Sequence, residues 1–170
     1  MNDYEIQFTG LKLGTHSFQF ELSNKFFEFF KNQDQELSLV DGGNILVQLE
    51  LEKKETMLVL NFSINGQVDV ACDRCMERLS TSISSTNRII GKFSDEETWN
   101  EDEIIHISSS AYKVDIKELL YEFICLAIPA KNVHSDGECN PEMIKKLNEY
   151  RYSNDDEEKI DPRWDKLKNL

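Results

Sequence analysis

The first half of the chain alternates between apolar and polar positions. Residues 4–10 and 16–22 place an apolar side chain at every second position. The same alternation runs from Asn44 to Val70 and continues, with more Ser and Thr, from Leu79 to Phe93. A period of two is typical of strands that bury one face and expose the other.

Turn signals separate these strands. Residues 53–55 (KKE) form a charged turn, and Asn65-Gly66 is a pair typical of type I′ hairpin turns. Because tight turns join antiparallel neighbours, the pattern predicts a β meander. A short apolar run, Ile104–Ile107, is expected to add an edge strand.

Two segments in this part of the chain have helical signals. A short helix is expected over Lys25–Phe30, whose four phenylalanines are predicted to enter the core. The segment VDIKELLYEFICLAIP repeats apolar residues at helical spacing and ends at Pro129. Asp115 can act as its N-cap, with Glu118 three residues later in an Asp-led capping box. This segment predicts a long apolar helix that packs across the sheet.

Asn140-Pro141 begins another short helix, which is expected to run to about Tyr150. The predicted fold is α+β: an antiparallel β meander packed by one long apolar helix, with short N-terminal and C-terminal helices. Residues 1–150 are predicted to form a single domain. Residues 151–170 are expected to be an acidic, flexible tail, and the acid-rich segment 94–103 a solvated loop.

The charge balance narrows the range of partners. Lys plus Arg is 19 and Asp plus Glu is 32, which gives a net charge of −13. So acidic a chain binds nucleic acid and anionic lipid poorly unless it has a local basic surface. No apolar run approaches the roughly 20 residues of a membrane helix, and MNDYEIQFTG has no export signal. A cytoplasmic protein without membrane contact is expected.

The main chemical signal is the sequence CDRC, which contains Cys72 and Cys75. Two thiolates at this spacing can bind one Zn²⁺ from a tight turn. His134 and Cys139 share a later loop, with four residues between them, and are the best candidates for the remaining two ligands. The sequence therefore predicts a zinc site made by these four residues, and its alternative is two free-thiol turns that merely pack together.

Other interpretations of the cysteines are weaker. Cys125 lies in the apolar helix, where cysteine usually behaves as a small hydrophobic residue. Thiol oxidoreductases also use CxxC, but they place the first cysteine at a helix N-terminus, whereas this pair lies between two strands. The sequence has no P-loop, GxGxxG, HExxH or GxSxG motif. We therefore expect neither an enzyme nor a small-molecule substrate.

The order of these motifs resembles the YceD family, which is named for accumulation of the large-subunit ribosomal RNA. The ending WDKLKNL is also similar to the family's C-terminal pattern, so that the resemblance covers residues 44–170. The other matching positions are Cys72, Arg74 and Cys75 in CDRC, Asp115, Ile116, Leu126 and Pro129 of the helix, and then His134 and Cys139.

The resemblance implies a non-enzymatic factor for the synthesis, processing or stability of large-subunit (23S) ribosomal RNA. Its expected partners are that RNA or ribosomal proteins, because an acidic body suits docking to a basic protein. Direct RNA contact would need a basic surface around the CxxC turn and the following strand, although these cations are also ordinary for a surface. The candidates are Arg74, Arg78, Arg88 and Lys92.

The last ten residues hold three large apolar side chains, Trp164, Leu167 and Leu170, at a spacing of three. They are candidates for partner binding as a short docking peptide, and the alternative is that they pack on the parent domain. For the whole chain, two further functions stay open. One is a zinc-stabilised interaction module unrelated to the ribosome, and the other is a CxxC thiol redox protein.

Overall fold

The computed structural model describes residues 4–33, 39–94 and 103–151. This part of the chain contains a five-stranded sheet in the order β2-β3-β4-β5-β6, a two-stranded sheet made by β1 and β7, and three helices. The elements are β1 (Glu5–Gln7), β2 (Gly14–Leu22), α1 (Asn24–Gln33), β3 (Gly42–Lys53), β4 (Met57–Ala71), β5 (Arg78–Phe93), β6 (Ile104–Ile107), β7 (Lys113–Asp115), α2 (Lys117–Ala127) and α3 (Pro141–Glu149).

The sheet is mixed. Strands β2 to β5 are antiparallel neighbours in sequence order, but β6 pairs with β5 in parallel, with Ile90 opposite Ile104. The α+β class is confirmed, whereas the prediction of a purely antiparallel meander is wrong. Apolar alternation looks the same in either strand direction, so the pattern of β6 carried no information on its orientation.

The predicted turn at Asn65-Gly66 is wrong, because both residues lie inside β4. Gly66 pairs with Ile45 on one side and Ile83 on the other. A Cβ atom at Gly66 would lie 2.3 Å from the carbonyl oxygen of Asn44. This glycine therefore permits a close approach of two strands. The charged turn at residues 53–55 is confirmed between β3 and β4.

The prediction of one long apolar helix is also wrong. Helix α2 has eleven residues, and those buried are Leu120, Phe123 and Ile124. It begins at Lys117, one residue later than a cap at Asp115 implies, because Asp115 ends β7, which pairs with β1. The Asp115 carboxylate accepts a hydrogen bond from the Lys117 backbone N–H at 2.9 Å, and the N-cap is Ile116, so there is no capping box.

One face of the large sheet carries the core. Helix α1 packs on β3 and α2 packs on β5, and the two helices meet where Phe30 stacks on Tyr121 with ring centroids 4.1 Å apart. Phe62 of β4 contacts Phe123 of α2. This packing places the C-terminal end of α2 beside the turn that joins β4 to β5. None of the helices in the described ranges is long and apolar enough to cross a membrane.

Candidate metal centre

The CxxC motif forms a tight reversal between β4 and β5. The backbone N–H of Met76 donates to the carbonyl oxygen of Cys72 at 2.8 Å, and the N–H of Cys72 donates to the carbonyl oxygen of Glu77 at 2.9 Å. Met76 adopts a positive φ of 62°. This left-handed residue lets the chain turn back at once into β5.

The loop between α2 and α3 is fixed to the CxxC turn by polar contacts. The backbone N–H of Asp73 donates to the Asn132 carbonyl oxygen at 2.8 Å, and the Asn132 N–H donates to the Asp73 carboxylate at 2.6 Å. The side chain of Asn140 caps α3 and also donates to the Glu77 carboxylate at 2.7 Å. These bonds hold two segments together that lie about sixty residues apart in the sequence.

The two segments bring Cys72, Cys75, His134 and Cys139 together, so that their ligand atoms all lie within 4.8 Å of one another. The Sγ atoms of Cys72 and Cys139 are 3.9 Å apart, and His134 Nδ1 lies 3.4 Å from Cys75 Sγ. A tetrahedral site with Zn–S bonds of about 2.3 Å separates its sulfurs by roughly 3.8 Å. The four residues could therefore hold a metal ion.

A hydrogen bond made by its second ring nitrogen orients the imidazole of His134. Its Nε2 lies 3.2 Å from the backbone carbonyl oxygen of Arg78, which can only accept a hydrogen bond. Donation from Nε2 leaves Nδ1, on the side of the three thiols, without a proton and ready to bind a metal.

The pKa values of several side chains in the cluster are shifted from their ordinary values. Burial raises the pKa of the Cys72 thiol, but backbone hydrogen bonds from Arg74, His134 and Cys75 outweigh it and bring the pKa to about 5. The hydrogen bond with Cys72 raises the pKa of His134. Burial raises the pKa of Cys139. Without a metal, the cluster therefore favours the thiolate form of Cys72.

Cys125 lies apart from this cluster, on α2. Its thiol is half-buried, and burial raises its pKa. It lines a cleft of about 410 Å³ beside the CxxC turn, together with Leu39, Met76 and Ile128. It is therefore available as a control residue for experiments on the other three cysteines.

The structure does not bring the four candidate RNA-binding cations into one patch. Arg74 and Arg78 lie at the CxxC turn, and Arg78 forms an ion pair with Asp69. Arg88 and Lys92 are exposed on β5, but Arg88 lies ten residues along the strand from Arg78, which corresponds to about 33 Å. Trp164, Leu167 and Leu170 lie outside the described residues.

Several residues that support the cluster were not identified from the sequence. They are Met76, Glu77, Asn132 and the backbone carbonyl of Arg78. Asn140 was identified only as part of a helix start, although an N-cap asparagine has a second polar atom that can reach a neighbour. Nothing in the local sequence of Asn132 points to its contact with Asp73.

The fold and the cluster together define an α+β protein in which a CxxC turn of the sheet and a loop after a helix form a Cys₃His site. The chain belongs to the YceD family, since the family model described as "Large ribosomal RNA subunit accumulation protein YceD" matches residues 60–170, which are 111 of its 170 residues. This confirms the resemblance found in the sequence. No curated protein and no solved structure matches the chain significantly.

Proposed function

We propose that this chain is a non-enzymatic, zinc-stabilised factor that supports accumulation, processing or stability of large-subunit (23S) ribosomal RNA in the cytoplasm. The Cys₃His cluster, within a chain that belongs to the YceD family, carries the proposal. Membership of the family supports the ribosomal role, and the geometry of the cluster supports the metal-binding role.

Zinc is the metal that this donor set fits best. Thiolate and imidazole ligands favour Zn²⁺ over the harder cations Mg²⁺ and Ca²⁺, which prefer oxygen. Cys72, Cys75 and Cys139 are all buried. Four protein ligands in a buried, closed site are typical of structural zinc, because catalytic zinc keeps one coordination position open.

A redox role fits the same residues less well. The lowered pKa of Cys72 would suit a nucleophilic thiol, but reactive CxxC thiols are partly exposed. The Cys72 side chain is fully buried, and neither cysteine of the pair lies at a helix N-terminus. The low pKa therefore serves metal binding, for which the thiolate is the required form.

Two kinds of contact with the ribosomal particle are proposed, one with its RNA and one with its proteins. Arg88 and Lys92, exposed on the outer face of β5, are the proposed RNA contacts. The net charge of −13 makes the rest of the chain suited to a basic ribosomal protein. Trp164, Leu167 and Leu170 are proposed to bind such a partner.

One observation favours a second candidate, a zinc-stabilised protein-interaction module without a ribosomal role. The cleft beside the CxxC turn has exposed apolar residues at its edge, with Met76 70% and Leu39 65% exposed. Exposed apolar side chains grouped at one cleft are typical of surfaces that bind proteins.

The test is replacement of the chromosomal gene by variants of the full chain. Cys75→Ser removes a metal ligand, and Cys125→Ser is the matched control because it changes a cysteine outside the cluster. We expect Cys75→Ser to lower the ratio of large-subunit to small-subunit ribosomal RNA and Cys125→Ser to leave it unchanged. If deletion of the gene itself leaves that ratio unchanged, the ribosomal role is wrong and the interaction module becomes the better hypothesis.

A further inference from the structure

Arg74 lies between two cluster cysteines, yet its side chain turns towards the metal centre. The guanidinium Nη2 donates a hydrogen bond to the backbone carbonyl oxygen of His134. Its Nη1 lies 3.7 Å from the carboxylate of Asp136, which is fully exposed. The Arg74 side chain itself is only 35% exposed.

The Nε of Arg74 is buried and has no hydrogen-bond partner within the described residues. Buried donors are normally paired, so an unpaired one beside a cluster of anionic ligands requires a reason. The bond to the His134 carbonyl oxygen holds the guanidinium next to the four ligand residues.

The proposed zinc centre carries excess negative charge. Three thiolates and a neutral imidazole around Zn²⁺ leave one net negative charge in a buried position. A buried charge is costly unless an opposite charge lies close to it. The acidic residues of the two segments cannot supply that opposite charge, and they are Asp73, Glu77, Asp136 and Glu138.

We propose that Arg74 is a positioning residue of the metal centre, which holds the backbone of the ligand His134 and neutralises the net charge of the three zinc-bound thiolates. This inference rests on the zinc centre of the proposed function. In this role the guanidinium of Arg74 is engaged by His134 and Asp136, which makes it less available for RNA contact.

Arg78 provides a matched control. It follows Arg74 by four residues, but its side chain is 67% exposed and pairs with Asp69. It contacts His134 through its backbone carbonyl oxygen, which a side-chain substitution keeps. An equal loss of positive charge at Arg78 should therefore leave the metal centre intact.

The experiment compares wild type, R74Q, R74K and R78Q as full-length chains. Zinc affinity is measured by competition with a chromogenic chelator. We expect R74Q to bind zinc about tenfold more weakly or worse, as is usual when a residue that supports metal ligands is lost. R74K should recover part of the affinity because it keeps the charge, and R78Q should stay within about twofold of wild type.

Cobalt substitution separates the charge from a purely structural effect. Without the guanidinium, the thiolate electrons are less stabilised, so the sulfur-to-Co²⁺ charge-transfer band of R74Q should shift to longer wavelength. In R74K it should lie between those of R74Q and wild type. If R74Q folds poorly, the comparison of R74K with wild type still tests the role of Arg74 at the metal centre.

Three outcomes would overturn the inference. R74Q with wild-type zinc affinity and an unshifted band would remove any role of Arg74 at the site. R74K as weak as R74Q would show that charge is not what Arg74 supplies. Wild-type protein that binds no zinc would defeat the zinc centre itself, and this failure is distinguishable because it appears before any variant is compared.

Discussion

The imidazole Nε2 of His134 lies 3.2 Å from the carbonyl oxygen of Arg78, the residue with which β5 begins. His134 Nδ1 lies 3.4 Å from Cys75 Sγ, so one ring contacts both the sheet and the thiols. Its orientation is therefore fixed by the sheet before any metal arrives. With the ring held in place, the protonation of the four ligands is what still varies with pH at this site.

Zinc affinity should fall as the pH is lowered. Each ligand must lose its proton to bind, and the pKa values of His134 and Cys139 are both raised. Protons therefore compete with zinc for these two ligands at a higher pH than they would for isolated residues. Chelator competition at several pH values measures this dependence. An affinity independent of pH would contradict it.

In the metal-free protein, the thiolate of Cys72 should titrate near pH 5, well below its ordinary value of 9.0. Because the folded-state pKa is lowered, the stability contributed by this thiolate is complete above pH 9.0 and disappears as the pH falls through about 5. Thiolate absorbance in the ultraviolet checks the titration. Cys72→Ser should lack the step, and a step that persists in this variant must come from another group.

Removal of one ligand should destabilise the protein far more than removal of the cysteine in α2. We expect Cys75→Ser to lower the free energy of unfolding by about 3 kcal/mol or more, because loss of a metal site is among the severe changes. That loss corresponds to a melting temperature lower by about 10 °C. Cys125→Ser is the control. Equal, small effects in both variants, with no metal in the wild type, would refute the zinc site.

Gly66→Ala should destabilise the sheet by about 2 kcal/mol or more, since its Cβ would lie 2.3 Å from the Asn44 carbonyl oxygen and 2.7 Å from Ile45 Cα. Gly10→Ala is the control, because a Cβ there has no atom of the described residues within 4 Å. Urea unfolding of both variants measures the difference. A Gly66→Ala protein as stable as Gly10→Ala would mean that the two strands separate easily at this point.

Reversal of charge at Arg88 and Lys92 to Glu should reduce co-sedimentation with large-subunit particles at least about tenfold, because each cation lost removes a phosphate contact. Lys145→Glu with Lys146→Glu on the exposed face of α3 changes the net charge equally and serves as the control. Circular dichroism checks that each variant is folded. Equal losses in the two pairs would indicate an effect of net charge alone.

The sequence was most informative where chemistry restricts the residue type. Only Cys72, Cys75, His134 and Cys139 combined soft ligands with suitable spacing, and the structure brings them together. Strand direction and turn position were harder to predict from the sequence, because they depend on strands that lie far away along the chain. The direction of β6 and the role of Gly66 are both determined by neighbouring strands.

Arg74 illustrates a different limit of sequence analysis. The sequence made Arg74 a candidate for RNA contact, but nothing local in the sequence shows where its side chain turns. Its direction is set by the carbonyl oxygen of His134, sixty residues later in the chain. Arg88 and Lys92 are exposed, as expected, but the length of β5 separates them from the CxxC turn.

A metal at the cluster would link two distant parts of the folded chain. It would join Cys75 to His134, which are 59 residues apart, and so close a long loop that contains β5, β6 and α2. A disulfide across such a loop stays closed in the unfolded chain, whereas a zinc site of this kind forms only on folding, so the binding free energy of the metal becomes folding free energy. In a reducing compartment, where disulfides do not persist, zinc gives such a cross-link without oxidation.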